Sequence, residues 1–386
     1  SKRRALDGIT LNVKQGECVA ILGPTGAGKS TLACVMNGTS PRFMDGSLAG
    51  DVTVDGMVPA KVGTAQMASR VGLVFGDPDT QLFGMTVEED VAFGPANLGL
   101  GYESIMERVG KSIGDMRLAG LERRAPHRLS GGQKQATAIA GVYAMLPKIM
   151  VLDEPTSMLD PEGKARVFGI VRMLKEQLGV TVVLIEQEVD DILNLADRVF
   201  VMRSGKFVLS GTPREVFGRV EELRQAGVRV PQIVEYGTLI GAAETPFTIE
   251  EAISAAPASA EEAVSGVTSA SASVNEAATP AAAPRASRAA QADPVVEAVD
   301  VEFTYPSGAR ALDGVNLAVG RGDFVAIVGQ NGAGKTTLTR HFNGLLRPSS
   351  GDIRVLGRSA QGVPTIELCR HVGYVFQNPD EQLFCT

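Results

Sequence analysis

Long apolar runs are missing from this 386-residue sequence. None approaches the ~20 residues that a membrane-spanning helix needs, and no secretory signal pattern opens the chain, so the chain itself is not expected to cross a membrane. Cysteine is scarce as well. Cys18, Cys34, Cys369 and Cys385 form no C-x-x-C pair, which points away from both a metal site and a disulfide framework. Cys18 and Cys34 read more simply as small apolar residues of a strand and a helix. A broad positive charge is absent too. The formal net charge of −7 argues against a large basic surface, and nucleic acid is not an expected partner.

What the sequence does have, it has twice. Gly23-Pro24-Thr25-Gly26-Ala27-Gly28-Lys29-Ser30-Thr31 is echoed by Gly329-Gln330-Asn331-Gly332-Ala333-Gly334-Lys335-Thr336-Thr337. Both fit G-x-x-x-x-G-K-[ST], and both follow an apolar, strand-like run, at 18–22 and 324–328. A strand feeding a glycine loop that opens a helix aims backbone N–H groups and the positive helix end at one point. Glycine lets that backbone close around phosphate oxygens without a Cβ in the way. Lys29 and Lys335 are placed to reach the β/γ-phosphates, and Ser30 and Thr336 to offer a hydroxyl to Mg²⁺. Two such loops in register predict binding of a nucleoside triphosphate.

The repeat extends beyond the loops. Residues 5–13 match 311–319, and alternation predicts strands in both. The helix after each loop should stop near Asn37-Gly38 and Asn343-Gly344. The first copy then carries a longer connection before 51–54 than the second does before 352–355, a difference of the kind surface loops tolerate. The copies meet again at 71–83 and 372–384. This pattern predicts duplicated domains rather than a solenoid. In the first copy Thr86 is a plausible N-cap, and Leu129-Ser130-Gly131-Gly132-Gln133 opens a helix that should stop by Pro147. The run 149–153 is an apolar strand ending in Asp153 and Glu154, at the sheet edge where α/β folds bind ligands. Asp160-Pro161 has the form of an N-cap with proline at the first helical position, and 180–185 is a further buried strand.

These motifs together resemble the ATP-binding-cassette (ABC) ATPases. The fold that the resemblance implies is α/β, a P-loop NTPase domain with a helical subdomain around 129–146, duplicated. A narrower likeness lies in Asp79-Thr80-Gln81-Leu82-Phe83, in the segment 86–100, and in 229–233 and 246–252. It is to the energy-coupling-factor (ECF) ATPases, which drive uptake of vitamins and of cobalt or nickel. The resemblance implies ATP and Mg²⁺ as cofactors, with Asp153 and Gln377 joining Ser30 and Thr336 at the metal. Glu154 would polarise the attacking water. Leu129 to Gln133 would form the signature loop, with Ser130, Gly131 and Gly132 meeting ATP held by an opposite domain, and Asp160 would lie on a loop crossing that interface. Tyr305 would stack on adenine. The implied partners are a transmembrane coupling protein, a substrate-binding membrane protein, and a second cassette from the same chain or a second copy. The implied location is the cytoplasmic face of the cell membrane.

Two residues depart from the family pattern. Gly76 stands where the metal-contacting glutamine is expected, although Gln377 keeps it, and Gln187 stands where a histidine is expected. Glycine can neither ligate nor orient water, while the Gln187 amide can hydrogen-bond a γ-phosphate without charge. Either Asp77 or Gln81 compensates, or the first site is slow. Three domain ranges follow: a first cassette at 1–253, a linker at 254–293 and part of a second cassette at 294–386. Both ends read as truncated. The linker is mostly Ala, Ser, Pro and Glu, offers no apolar face, and is expected to be a flexible tether. The competing class is a tandem cassette with no membrane partner, such as an ABC-F ribosome factor or a repair ATPase. It would call for a charged helical arm or zinc cysteines. A P-loop kinase would leave the 129–133 motif unexplained.

Overall fold

The computed structural model describes residues 4–42, 46–242, 244–255, 294–306, 308–329 and 332–376. Two compact units divide the chain, 1–273 and 274–386, so the linker expected at 254–293 falls around their boundary. Its first two residues instead finish a helix, and 256–293 lie outside the described residues.

In the first unit β1 (Cys18–Leu22) leads through the first glycine loop into α1 (Lys29–Met36), capped at Asn37 as expected. A short α2 (Thr64–Ala68) precedes β2 (Val71–Val74). Three helices follow: α3 (Val87–Asn97), α4 (Tyr102–Asp115) and α5 (Gly131–Tyr143). Thr86 caps α3 by accepting the Glu89 N–H at 3.3 Å, and Ser130 and Gln133 close a reciprocal capping box on α5. Then come β3 (Ile149–Asp153), α6 (Pro161–Glu176), β4 (Thr181–Ile185), β5 (Arg198–Arg203) and β6 (Lys206–Gly211). Four helices close the described part of the unit: α7 (Pro213–Phe217), α8 (Val220–Ala226), α9 (Gln232–Leu239) and α10 (Ile249–Ala255).

The strands form one sheet in the order β2-β3-β4-β1-β5-β6, parallel except for the β5–β6 hairpin. A parallel sheet covered on both faces needs apolar residues at every position. All five residues of β1 are fully buried. Cys18, Ala20 and Leu22 face the core shared with α5 and α6, and Val19 and Ile21 face the core around α1. Since β1, β3 and β4 are neighbours and run the same way, the segments leaving them emerge at one sheet edge. That edge carries the first glycine loop, Asp153-Glu154 and Glu186-Gln187.

The second unit is built differently. Here β7 (Val296–Thr304), β8 (Arg310–Val319) and β9 (Ser350–Val355) pair antiparallel, with the short β10 (Arg358–Ser359) at the edge, in the order β10-β9-β7-β8. Among its described residues the helices are α11 (Lys335–Phe342) and α12 (Thr365–Leu368).

Two strand expectations, at 5–13 and 324–328, need correction, and two further pairs of matching segments differ between the copies. Residues 5–13 are not a strand although their counterpart is β8, because no antiparallel neighbour lies beside them among the described residues. Residues 51–54 make only an isolated bridge, Val54 to Met57, where the second copy has β9. Conversely 324–328 and 372–376 are not strands in the second unit, although their counterparts are β1 and β2.

Candidate functional site

Around the first glycine loop the backbone adopts conformations that only glycine holds easily. Gly23 and Gly28 sit at φ 150° and 106°, and a Cβ on them would lie 2.2 Å from the Met202 carbonyl oxygen and 2.4 Å from that of Ala5. The loop curls back on Lys29, which is 4% exposed. Its Nζ donates to the carbonyls of Gly23 (2.7 Å) and Pro24 (3.2 Å) and lies 3.3 Å from Glu154 Oε1. A cavity of about 780 Å³ opens here. Thr25, Gly26, Gly28, Lys29, Ser30 and Thr31 line it together with Asp153 and Glu154.

Three strand ends meet at Glu154. Its Oε1 accepts a 2.7 Å hydrogen bond from Gln187 Nε2, and its own N–H donates to the Ile185 carbonyl at 2.8 Å. Its backbone is left-handed, φ 51°, which is sparsely populated for a residue with a side chain. The structure thus brings together Lys29, Ser30, Asp153, Glu154 and Gln187 from β1, β3 and β4.

The donor set suits Mg²⁺. Asp153 is buried and its Oδ1 has no hydrogen-bond partner, while the Ser30 hydroxyl bonds the same carboxylate. Burial pushes the Asp153 carboxyl above the usual range, and that Ser30 bond and the Lys29 charge oppose the rise. An orphaned carboxylate oxygen beside a hydroxyl is what a hard cation takes. Among the described residues no cluster of three His, Cys, Asp or Glu could hold an ion alone. One carboxylate plus phosphate oxygens and water is the usual arrangement for Mg²⁺.

The two departures have distinct geometries. A Cβ on Gly76 would lie 2.7 Å from the Glu154 carbonyl oxygen, 3.1 Å from that of Asp153 and 3.1 Å from Ser157 Oγ. Any larger residue there must push the Asp153-Glu154 segment away. Gln81 does not reach into the cavity: its amide accepts from Phe75 N at 2.7 Å and donates to the Leu73 carbonyl at 3.1 Å, capping β2. Asp77 does line the cavity, with Oδ1 held by the Asp79 N–H at 3.0 Å.

Other expected residues lie elsewhere. Residues 129–133 form the start of α5 and do not line the cavity. Asp160 caps α6, its Oδ1 accepting the Gly163 N–H at 2.8 Å. In the second unit Gly334 keeps a positive φ, 86°, and Lys335 Nζ donates to the Gly329 carbonyl at 2.7 Å, as Lys29 does to Gly23. The Tyr305 hydroxyl lies 2.9 Å from Thr337 Oγ1 at the foot of α11, which Thr336 also shares. Gln330, Asn331 and Gln377 lie outside the described residues.

Sequence reading missed several residues. Ser204 and Gly205, the β5–β6 turn, wall the cavity, and Gly205 N–H is tied to the Ala27 carbonyl at 2.8 Å. No motif marks them. Glu186 was missed although a signal existed, since it closes the apolar run of β4 as Asp153 closes β3. It is 1% exposed, and burial pushes its carboxyl up to about 7, against the hydrogen bonds from Thr156 and the Gln187 N–H.

Similarity to known proteins runs along the whole chain. A family model described as ABC transporter matches residues 6–157 and 312–385. A candidate ABC transporter ATP-binding protein of Caldanaerobacter subterraneus subsp. tengcongensis is 40% identical over 387 aligned residues, covering 99% of this chain and 66% of that protein. This chain therefore spans slightly less than two thirds of that relative's length. The energy-coupling factor transporter ATP-binding protein EcfA of Methanothermobacter thermautotrophicus is 46% identical over 235 residues, 60% of this chain and 73% of that one. Among solved structures, CbiO1 of Clostridium perfringens, described as part of the ABC transporter complex CbiONQ, superposes with a TM-score of 0.52 at 37% identity. That match covers 61% of this chain and 92% of CbiO1.

Proposed function

The chain belongs to the ABC transporter family, and from that premise we propose that it is the ATP-hydrolysing motor of an ECF-type importer. It would work at the cytoplasmic face of a membrane and drive uptake of a vitamin or a transition-metal ion. The observation that carries the reading is the meeting of Lys29, Ser30, Asp153 and Glu154 at one cavity of about 780 Å³, with Gln187 bonded to Glu154. That volume suits a nucleotide-sized ligand. Among the described residues no helix is long and apolar enough to cross a membrane, so transport would fall to partner chains. The likeness to EcfA and CbiO1 supports the importer type.

On binding ATP, Lys29 would exchange the Gly23 and Pro24 carbonyls for phosphate oxygens. Glu154 would then be released from Lys29 and held by Gln187, free to orient water for attack on the γ-phosphate. Ser30 and Asp153 would hold Mg²⁺, which when bound neutralises charge on the phosphate oxygens. The loop at 129–133, open and capped at the start of α5, would meet ATP carried by a second cassette. Gly76 leaves this site without one positioned polar group, and Gln187 is neutral where an imidazole would carry charge. A missing group of this kind lowers the rate by about a hundredfold, or ~3 kcal/mol. We therefore read this site as the slow member of an unequal pair.

The surface offered to a membrane partner would lie after β2. Phe83 and Phe93 are 64% and 54% exposed with ring centroids 5.1 Å apart, and Met85 is exposed beside them. Buried Asp90 shapes this surface by accepting the N–H groups of Phe83 and Gly84, both at 2.8 Å. Exposed aromatic rings held in place by a buried carboxylate suit docking of an apolar segment.

Steady-state ATPase with and without Glu154→Gln, together with identification of co-purifying chains, tests the reading. ATP turnover that this substitution reduces, and hydrophobic membrane proteins in the complex, are expected. Co-purification with ribosomes and no membrane protein would favour the tandem-cassette alternative.

A further inference from the structure

Glu186 is a buried carboxylate beside the site for which the hydrolysis scheme gives no task. It has no ion-pair partner among the described residues, and a buried charge without one is expensive. Its hydrogen bonds are specific. Oε1 accepts from the Thr156 N–H at 3.1 Å and from the Thr156 hydroxyl at 2.8 Å, and Oε2 accepts from the Gln187 N–H at 3.2 Å. One side chain therefore joins the segment leaving β3 to the segment leaving β4.

Glu154 lies between these anchors in a strained backbone conformation, φ 51°. Such a conformation is strained and persists only where its surroundings over-determine it. On its N-terminal side the constraint is its own N–H bond to the Ile185 carbonyl, 2.8 Å. On its C-terminal side Thr156, two residues on, is held by Glu186 through two bonds. Pro155 between them has few backbone options of its own. Releasing Thr156 would let residue 154 relax to an ordinary φ and swing its carboxylate off Gln187.

We propose that Glu186 is the positioning residue for Glu154, clamping Thr156 to the end of β4 so that the Glu154 carboxylate stays on the Gln187 amide. The inference rests on the hydrolytic reading of Glu154 above. It gives Glu186 an effect on turnover without any contact with nucleotide.

The test compares Glu186→Ala, Glu186→Gln and Thr156→Val in the full chain, reading MgATP affinity, kcat and KM separately. Glu186→Ala should lower kcat by roughly a hundredfold, the scale of a ~1 Å misplacement, while MgATP affinity stays within about twofold. Glu186→Gln keeps an oxygen for both Thr156 bonds and should recover most of the rate. Thr156→Val removes only the hydroxyl bond and should fall between; it carries the test if Glu186→Ala does not fold. Affinity falling in step with kcat, or Glu186→Gln as damaging as Glu186→Ala, would overturn the proposal. A crystal structure of Glu186→Ala, or of Thr156→Val in its place, decides independently of activity. Residue 154 at negative φ with its bond to Gln187 lost supports the clamp, and an unchanged φ and bond sink it. If the unmodified chain turns over no ATP, the hydrolytic reading fails, and the variant structure still decides the clamp.

Discussion

Residues 18–22 and 324–328 occupy the same place in two copies of one motif, yet the structure treats them oppositely. The first segment is a central parallel strand with every residue at 0% exposure. The second is not a strand, and Phe324 and Val328 are 99% and 87% exposed. The reverse holds for 5–13 and Arg310–Val319, where the second copy forms the strand and the first does not. In each case the formed strand has neighbours among the described residues: β4 and β5 flank β1, and β7 pairs with β8. A central parallel strand has no stability of its own, because its hydrogen bonds and its two buried faces all come from other elements. The glycine loops behave differently. Both keep their positive-φ glycines and the lysine-to-carbonyl bond, because a loop closed by local contacts needs little beyond its own residues.

Charge placed in the two segments should break this symmetry most. Ala20→Asp puts an unpaired carboxylate into the core shared with α5 and α6 and should destabilise the first unit by more than ~4 kcal/mol, whereas Ala326→Asp at the exposed counterpart should stay within ~0.5 kcal/mol. Denaturant unfolding followed by peptide-resolved amide exchange reads both. Comparable losses would mean that 324–328 is buried after all.

A pH series sharpens the contrast next, because the buried Glu186 belongs to the first unit. Its folded-state pKa is raised to about 7, so the stability it leaves in place is full below its unfolded value and is lost as pH rises through 7. Between pH 5 and 8 the first unit should lose up to roughly 3 kcal/mol relative to a Glu186→Gln protein, whose stability should vary less. A difference that shrinks as pH rises would contradict the assignment.

Gly76→Gln restores in the first copy the residue type at Gln377. It should not restore function. The added side chain meets the Glu154 carbonyl, so a stability loss of about 1–3 kcal/mol and lower turnover are expected. Faster hydrolysis in this variant would show that the segment yields and that the missing glutamine alone slows the site. Smallest of all, Asp160→Ala removes the α6 cap and should lower stability by ~1 kcal/mol with nucleotide affinity unchanged.

Much of this was legible in the sequence because the signals were local. The caps at Thr86 and Asp160, the helix start at 129–133, the stops at Asn37 and Asn343, and the P-loop lysines are set by residues a few positions apart. What failed was non-local. Alternation in 5–13 and an apolar run at 324–328 are necessary for strands but do not supply partners. The site divides the same way. Glycine loop, Asp153 and Glu154 are contiguous motifs, whereas the Ser204-Gly205 wall and the Glu186 clamp depend on which strands lie side by side, β5 against β1 and β4 against β3. Pairing order cannot be read from one strand alone.

Equilibrium binding of MgATP to the full chain, compared with Lys29→Ala and Lys335→Ala, tests the central claim most directly. One tight site per chain is expected. Lys29→Ala should abolish it, losing at least about a hundredfold in affinity, while Lys335→Ala leaves it intact, because among the described residues only the first loop is seated on a formed strand with Asp153 and Glu154 across the cavity. Two equivalent sites, or tight binding that survives Lys29→Ala, would contradict it.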